Sequence, residues 1–365
     1  MRANISKEDW DAYQKRELAT FEPLFARLNI VLDEKQLHTG GERYLMSGKK
    51  LVLTGTRKSD GERVVVKVSS DASGRTEIRR EKEAHDLLRS LAFANDTLLS
   101  PEELHFEDTK HGTLLVTAFI EQPNVFFARP LQEQFFLALR ALEAQEGFHA
   151  TTYEHEQRIK KTFPVLRSDE YLKELEGFIQ EIEVLRSDDT QLRTLLKRAR
   201  VFLTEHSDTI DRYSPYLTHT DLAPHNMRVS DRGIFLLDYA AFHFGNKYEG
   251  WARFLNYMLI HNPELENLLA EHVRTTRGPD EYLSLRLMRV YKTAFLLEYY
   301  AKSLAHTTGD LRTLTEARIA FWTGVLSALL DGTPIAREVV ASYASTRNAL
   351  RTKEETARQK EFNLV

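Results

Sequence analysis

The sequence predicts an α+β fold of two unequal lobes, a small antiparallel β-sheet lobe carrying one key helix and a larger, mainly helical lobe. Two observations carry this expectation. In the first third, short β-branched and aromatic runs alternate with glycine and polar turns. After residue 125, apolar residues recur at three- and four-residue spacing almost to the end, broken by a single hairpin pattern. The boundary falls at 122, dividing an N-terminal lobe, 1–122, from a C-terminal lobe, 123–365. A chain of 365 residues is long enough for two to three domain-sized cores, which a bilobal design satisfies.

Taken in order, residues 7–28 show helical spacing, with Ser6 as a candidate N-cap and Trp10, Tyr13, Leu18 and Phe21 as the expected buried face. Strand-like runs follow at 30–32, 43–46, 51–54 and 63–68, separated by the turn signals Gly40-Gly41, Ser47-Gly48-Lys49 and Ser59-Asp60-Gly61. Residues 75–91 form a charged amphipathic helix. Residues 101–111 read as a polar loop or short hairpin, and 113–120 as a strong strand that Glu121-Gln122-Pro123-Asn124 ends. Helices are expected over 131–146, 168–185, 190–205, 250–261, 279–304 and 311–330. The tail, 334–361, reads as one more polar helix docked by Val339, Val340, Tyr343 and Leu350.

Composition excludes several classes of function. The 50 Lys and Arg residues against 54 Asp and Glu leave a net charge of -4, so no basic excess exists to neutralise a nucleic-acid backbone, and Lys49-Lys50 is too short a run to change that. Without cysteine there is no disulfide framework, thiol nucleophile or cysteine-based zinc site. The charged N-terminus lacks the apolar core of a signal peptide, and no window reaches the length of a membrane span. A soluble, cytoplasmic protein is expected.

The chemistry concentrates in Leu217-Thr218-His219-Thr220-Asp221-Leu222-Ala223-Pro224-His225-Asn226 and the run Ile234-Phe235-Leu236-Leu237-Asp238. Pro224 fixes its own φ and biases Ala223 away from helix, so a loop follows Asp221. Asp231-Arg232-Gly233 is a turn, so 227–230 and 233–237 form a hairpin with Asn226 at one end and Asp238 at the other. Two carboxylates and an amide oxygen in one small region suit a hydroxyl and a magnesium-bound phosphate chain. Asp221 is then placed to orient a hydroxyl, Asn226 and Asp238 to hold the metal, and His219 to support the loop.

Lys67 stands in a Val-rich strand, where an ammonium needs either an exit to solvent or an anionic partner. The functional alternative is a lysine on the α- and β-phosphates of ATP, held by a carboxylate of the next helix. Glu81 is favoured for that carboxylate and Glu83 is the alternative. Ser47-Gly48 is the preferred turn to cover the phosphates, with Gly40-Gly41 as rival. A P-loop is excluded, since Lys50 follows Gly48-Lys49 where Ser or Thr is required and a strand comes next.

His219-Thr220-Asp221-Leu222-Ala223-Pro224-His225-Asn226 and Leu236-Leu237-Asp238-Tyr239 resemble the catalytic and metal motifs of the aminoglycoside phosphotransferase and choline kinase-like families, relatives of protein kinases. The resemblance implies a protein-kinase-like fold, with Asp221 as catalytic residue, Asn226 and Asp238 as magnesium ligands, and Arg79-Arg80-Glu81-Lys82 on the helix that holds Lys67. It further implies that 113–120 runs into the hinge between lobes, where Ala118 to Ile120 contact adenine. The sequence departs from the families at Gly250, where an Asp usually opens the helix and Glu249 stands beside it.

The segment from Asp238 to about Gly250 is too short for the peptide-binding activation segment of a protein kinase, which favours a small-molecule acceptor. Aromatics and an acid in Tyr248-Glu249-Gly250-Trp251-Ala252-Arg253-Phe254 suit a cationic amino-sugar or quaternary amine, whereas Trp251, Phe254 and Tyr257 at helical spacing also suit a core. The expected activity is ATP- and magnesium-dependent phosphoryl transfer to a small-molecule hydroxyl, on an aminoglycoside, amino-alcohol or sugar-like acceptor. Two alternatives stay open: a nucleotide-binding pseudokinase of the same fold, and a metal-dependent hydrolase using His219, Asp221, His225 and Asp238.

Overall fold

The computed structural model describes residues 7–36, 38–40, 49–91, 99–149 and 153–361. The expected strand at 43–46 and the Ser47-Gly48 turn lie outside them. The N-terminal region begins with α1 (Lys7–Arg27), which buries Trp10, Tyr13, Glu17, Phe21 and Phe25. Leu18 was expected on that face but is only partly buried at its flank. Glu17 takes the inward position because Ser70 offers its backbone N–H at 2.6 Å, and its hydroxyl as well, to the carboxylate. A buried acid is tolerated when its lone pairs are met in this way.

Against α1 lies a five-stranded antiparallel sheet in the order β1 (Ile30–Leu32), β2 (Leu51–Arg57), β3 (Arg63–Ser69), β5 (Thr113–Ala118), β4 (Glu103–Asp108). The ladder between β4 and β5 settles the open reading of 101–111 as an edge strand, with a bulge between Glu103 and His105. Register matters most in the β2–β3 pair, where Val52 faces Lys67 across the ladder. Alternation then sends Leu51 and Leu53 into the core under α1. Lys50, Val52 and Thr54 join Val65 and Lys67 on the opposite face, which lines a cleft.

Asp71 caps α2 (Ala72–Ser90), its side chain accepting the N–H of Ser73. The buried positions Gly74, Ile78, Glu81, His85 and Leu88 follow a four-three-four-three spacing. Gly74 is needed for close approach, since a Cβ there would lie 2.0 Å from the Lys49 carbonyl oxygen and 2.3 Å from Ser69 Oγ. The helix can therefore press its first turn against the sheet, which brings Glu81 over Lys67.

The larger region is built on α3 (Leu131–Glu146), α4 (Tyr153–Ile159), α5 (Ser168–Leu185), α6 (Thr190–Glu205) and α7 (Ser207–Arg212). It continues through α8 (Tyr248–His261), α9 (Pro263–His272), α10 (Pro279–Ser303), α11 (Gly309–Asp331), α12 (Arg337–Leu350) and α13 (Lys353–Glu361). Between α7 and α8 come β6 (Tyr216–His219), the hairpin β7 (Met227–Ser230) and β8 (Gly233–Leu236), and β9 (Phe242–Gly245), which pairs antiparallel with β6. Short strands that pair across more than twenty residues leave no local periodicity, so β6 and β9 escaped the sequence reading. Trp251 and Phe254 are core residues, each fully buried aromatic contributing roughly 1.5–3 kcal/mol.

The tail forms two helices in place of one, with the break after Leu350. Val340 and Tyr343 dock as expected, but Val339 is exposed and Arg347 occupies the next inward position.

Glu249, beside the departure at Gly250, is buried at the start of α8. Its carboxylate receives Tyr171 Oη at 2.6 Å, His243 Nε2 at 2.7 Å and Lys292 Nζ at 3.1 Å, tying α5, β9 and α10 together. Burial acts to raise its pKa, and His243 and Lys292 reverse that and hold it well below the ordinary value. A depressed folded pKa adds stability that is complete above the unfolded value near 4.5 and is lost as pH falls through the folded value. Glu249→Gln is expected to lower unfolding free energy by about 3 kcal/mol at neutral pH, because it strands a buried lysine. Urea denaturation of both proteins at pH 7 and pH 4 measures this, and the difference between them should narrow at the lower pH.

Candidate active site

Lys67 lies in the interior of β3, and its Nζ is 2.6 Å from both carboxylate oxygens of Glu81. Glu83, the alternative partner, is on the exposed side of α2. A second carboxylate reaches Lys67 from the larger region, with Asp238 Oδ1 3.8 Å from its Nζ.

Asp238 follows β8 and has left-handed backbone geometry, φ 58°. Such a conformation in a non-glycine residue is costly, by about 1–3 kcal/mol, and marks a position fixed by its surroundings. The hairpin register is responsible: Leu237 N–H donates to the Asn226 carbonyl at 2.9 Å, which sets Asp238 beside Asn226. The amide of Asn226 is oriented by its Nδ2, which donates to the Asp221 carbonyl at 2.9 Å and lies 3.4 Å from Asp221 Oδ2. That leaves Asn226 Oδ1 as the outward acceptor.

His219 is fully buried beneath the loop. Its Nε2 donates to the Leu237 carbonyl at 2.8 Å, and its Nδ1 accepts the Asp221 N–H at 3.2 Å. Both nitrogens are thereby committed to backbone in one neutral tautomer, and burial lowers the pKa further. An imidazole so occupied has no lone pair for a transition metal, which removes His219 from the hydrolase ligand set. The cluster of possible metal ligands found among the described residues is His85, Asp86 and Glu103, none of which belongs to that set.

Asp221 lies two residues beyond the end of β6, with its side chain 45% exposed to the cleft. Arg253 of α8 grips one oxygen: its Nε is 2.8 Å and its Nη2 2.7 Å from Oδ1. Burial pushes this carboxyl upward, and Arg253 overrides it, with His225 adding to the effect, so the group titrates well below the usual range. Oδ2 faces only Asn226 Nδ2 and, at 3.8 Å, His225 Nε2. Ala118 and Ile120 also line the cleft. Ala118 N–H is spent on the Glu102 carbonyl and Phe119 N–H on that of Arg63, while neither backbone group of Ile120 has a backbone partner among the described residues.

Two residues with no assigned role in the sequence reading belong here. Lys50 is 5% exposed and bridges Glu77 at 2.6 Å and Asp238 at 3.4 Å. Burial acts to lower its pKa, and Asp238 and Glu77 raise it above the ordinary value. The period of two in β2 could have revealed it, since Lys50, Val52 and Thr54 alternate with Leu51 and Leu53. Arg253 is the other, and a lone cation on a helix carries no signal of its partner.

Lys50, Lys67, Glu81, Asp221, Asn226, Asp238 and Arg253 line one cleft of about 1220 Å³ between the sheet and the helical region. No protein-family model matches the sequence, and no significant match exists among curated proteins. Solved structures do match in fold. Aminoglycoside phosphotransferase APH(4)-Ia in a thermostable apo form aligns with TM-score 0.57 and 14% identity over 85% of this chain and 98% of that one. A ternary complex of the same enzyme with ADP and hygromycin B aligns at 0.56 and 14%, over 86% and 99%. The streptomycin–ATP complex of APH(2")-IIa aligns at 0.55 and 14%, over 83% and 95%. The chain has the two-lobed, protein-kinase-like fold of the aminoglycoside phosphotransferases.

Proposed function

We propose that this protein is an ATP- and magnesium-dependent phosphotransferase that moves the γ-phosphoryl group of ATP to a hydroxyl of a small molecule. The observation that carries the reading is the meeting of Lys67, Asp221, Asn226 and Asp238 in one cleft, contributed by the sheet and by a hairpin more than 150 residues away. Lys67, held by Glu81, would contact the α- and β-phosphates, with Lys50 as a second cation beside it. The backbone of the Ala118–Ile120 segment, Ile120 above all, would take the adenine edge. The phosphate-covering turn is assigned to Ser47-Gly48.

The donor set fits magnesium. Asn226 Oδ1 and the Asp238 carboxylate are hard oxygen ligands, and around Asp238 two lysines face three carboxylates, Glu77, Glu81 and Asp238 itself. When bound, the ion held by Asn226 and Asp238 would supply the positive charge that neutralises charge developing on the phosphates.

Asp221 would accept the hydrogen bond of the acceptor hydroxyl through Oδ2, since Arg253 occupies Oδ1. A carboxylate kept this acidic is always ionised but a weak base. It therefore orients the hydroxyl oxygen toward the γ-phosphorus, and the proton passes late to Asp221 Oδ2, as the new O–P bond forms and the bond to ADP breaks with its electron pair on ADP. Only residues 239–247 separate Asp238 from α8, and β9 folds straight back onto β6, so there is no platform for a peptide. A small acceptor follows, and a cytoplasmic site of action goes with the need for ATP. No helix among the described residues is long and apolar enough to cross a membrane.

Magnesium-dependent ATP consumption over a panel of sugars, amino-alcohols and polyols tests the reading. Asp221→Asn is expected to lower kcat by about 10²–10⁴-fold while nucleotide affinity moves little. Equal behaviour of wild type and variant on every compound would sink the transfer reading, and ATP binding with no turnover would favour the pseudokinase. Arg253→Gln should remove the largest influence opposing burial at Asp221, leaving His225 and His219. The Asp221 titration midpoint, followed by the carboxyl carbon resonance in ¹³C NMR, is expected to move upward, and an unmoved midpoint would refute the assigned role of Arg253.

A further inference from the structure

Beyond Asp221 the cleft continues to a wall formed by α8, α10, α11, α12 and α13. Arg318, Arg347 and Arg351 stand on it together. Arg347 is only 6% exposed, at the inward position where the pattern of α12 calls for an apolar side chain. It makes no ion pair among the described residues, and its buried Nε has no acceptor. Burial pulls its pKa down to about 10, with Arg351 and Arg318 adding to the effect, against Tyr343 and Tyr257. A second donor without an acceptor lies in the same wall, the indole N–H of Trp322, which is 2% exposed.

The wall connects directly to the reacting end of the cleft. Tyr257 lies 5.6 Å from the guanidinium of Arg253, which grips Asp221, and 5.9 Å from the ring of His225, and it also acts electrostatically on Arg347. Among the described residues no acid on the wall pairs with Arg347. Glu174 is engaged by Tyr291, Glu355 receives Gln359 Nε2 at 2.6 Å, and Lys292 is spent on Glu249. A buried guanidinium, that of Arg347, with no carboxylate partner among the described residues and its Nε without an acceptor, is an arrangement completed by an anion from outside, for which the guanidinium fork is suited.

We infer that the acceptor is an anionic hydroxyl compound, a small molecule bearing a phosphate or carboxylate that the Arg318–Arg347–Arg351 wall holds while its hydroxyl reaches Asp221. This rests on the phosphotransferase reading and reverses the expectation of a cationic amino-sugar, whose ammonium groups would meet three like charges. The step itself is unchanged: the hydroxyl oxygen bonds to the γ-phosphorus, its proton passes to Asp221 Oδ2, and the γ-phosphorus–oxygen bond to ADP breaks with its electron pair on the departing ADP. The anionic group serves only as a handle.

Calorimetry on the full chain, loaded with magnesium and AMP-PNP so that the nucleotide site is filled, tests this with matched probes. These are glucose, glucosamine, glucose 6-phosphate and gluconate, with inorganic phosphate as the bare anion. Glucose 6-phosphate or gluconate should bind at least about tenfold more tightly than glucose, and glucosamine more weakly; the two anions separate a phosphate handle from a carboxylate one. Arg347→Gln should erase about fivefold or more of the anion's advantage, with glucose little affected. Because Arg347 is buried, Arg318→Gln, on a partly exposed side chain, supplies a second variant with the same expected loss. Anions that gain nothing over glucose, or tighter binding of glucosamine, overturn the inference while AMP-PNP binding leaves the kinase reading standing. Failure to bind AMP-PNP overturns both.

Discussion

The structure turns on the charge cluster at Asp238. Two ammonium groups from the sheet, Lys50 and Lys67, converge on one carboxylate from the hairpin, and α2 supplies Glu77 and Glu81 to hold them. Each of these charges is tolerated away from water only because the others are present. The cluster therefore ties three separately folded pieces to a common point. It also explains the tight contact at Gly74, which seats α2 on the sheet, and the left-handed backbone of Asp238, which turns its carboxylate back toward the lysines.

Helix α8 plays the matching part in the larger region. Glu249 points inward to Tyr171, His243 and Lys292, the N–H of Gly250 donates to Thr218 Oγ1 at 2.8 Å, and Arg253, one turn on, reaches Asp221. A glycine suits the second position because a Cβ would already lie 3.1 Å from that hydroxyl. The buried Glu249 network thus anchors the helix, and the anchor fixes the distance at which Arg253 polarises the carboxylate. His219 does the same for the loop from below, through two backbone hydrogen bonds. Stability and chemistry share these contacts.

Much of this was legible in the chain. Alternation and helical spacing located most strands and helices to within a few residues, because both periods arise from backbone geometry that any sequence must respect. The turn at Asp231-Arg232-Gly233 was enough to predict that Asn226 and Asp238 would be neighbours, since a hairpin's register is a local property. Positions where a polar residue sits on a buried stripe were misread. Glu17 and Arg347 both occupy such places, and Leu18 and Val339 were credited with the burial instead.

By itself the sequence determined the order of the lobes, the hairpin and the polar groups that belong to it, since each follows from torsional preference and spacing along a few residues. Tertiary structure alone decided that Lys50 joins Lys67 on Asp238, that Arg253 takes one oxygen of Asp221, and that three arginines gather at the far wall. A charge exerts its field in every direction and says nothing about where its counter-charge stands along the chain. Only the packing of distant helices and strands selects the partner.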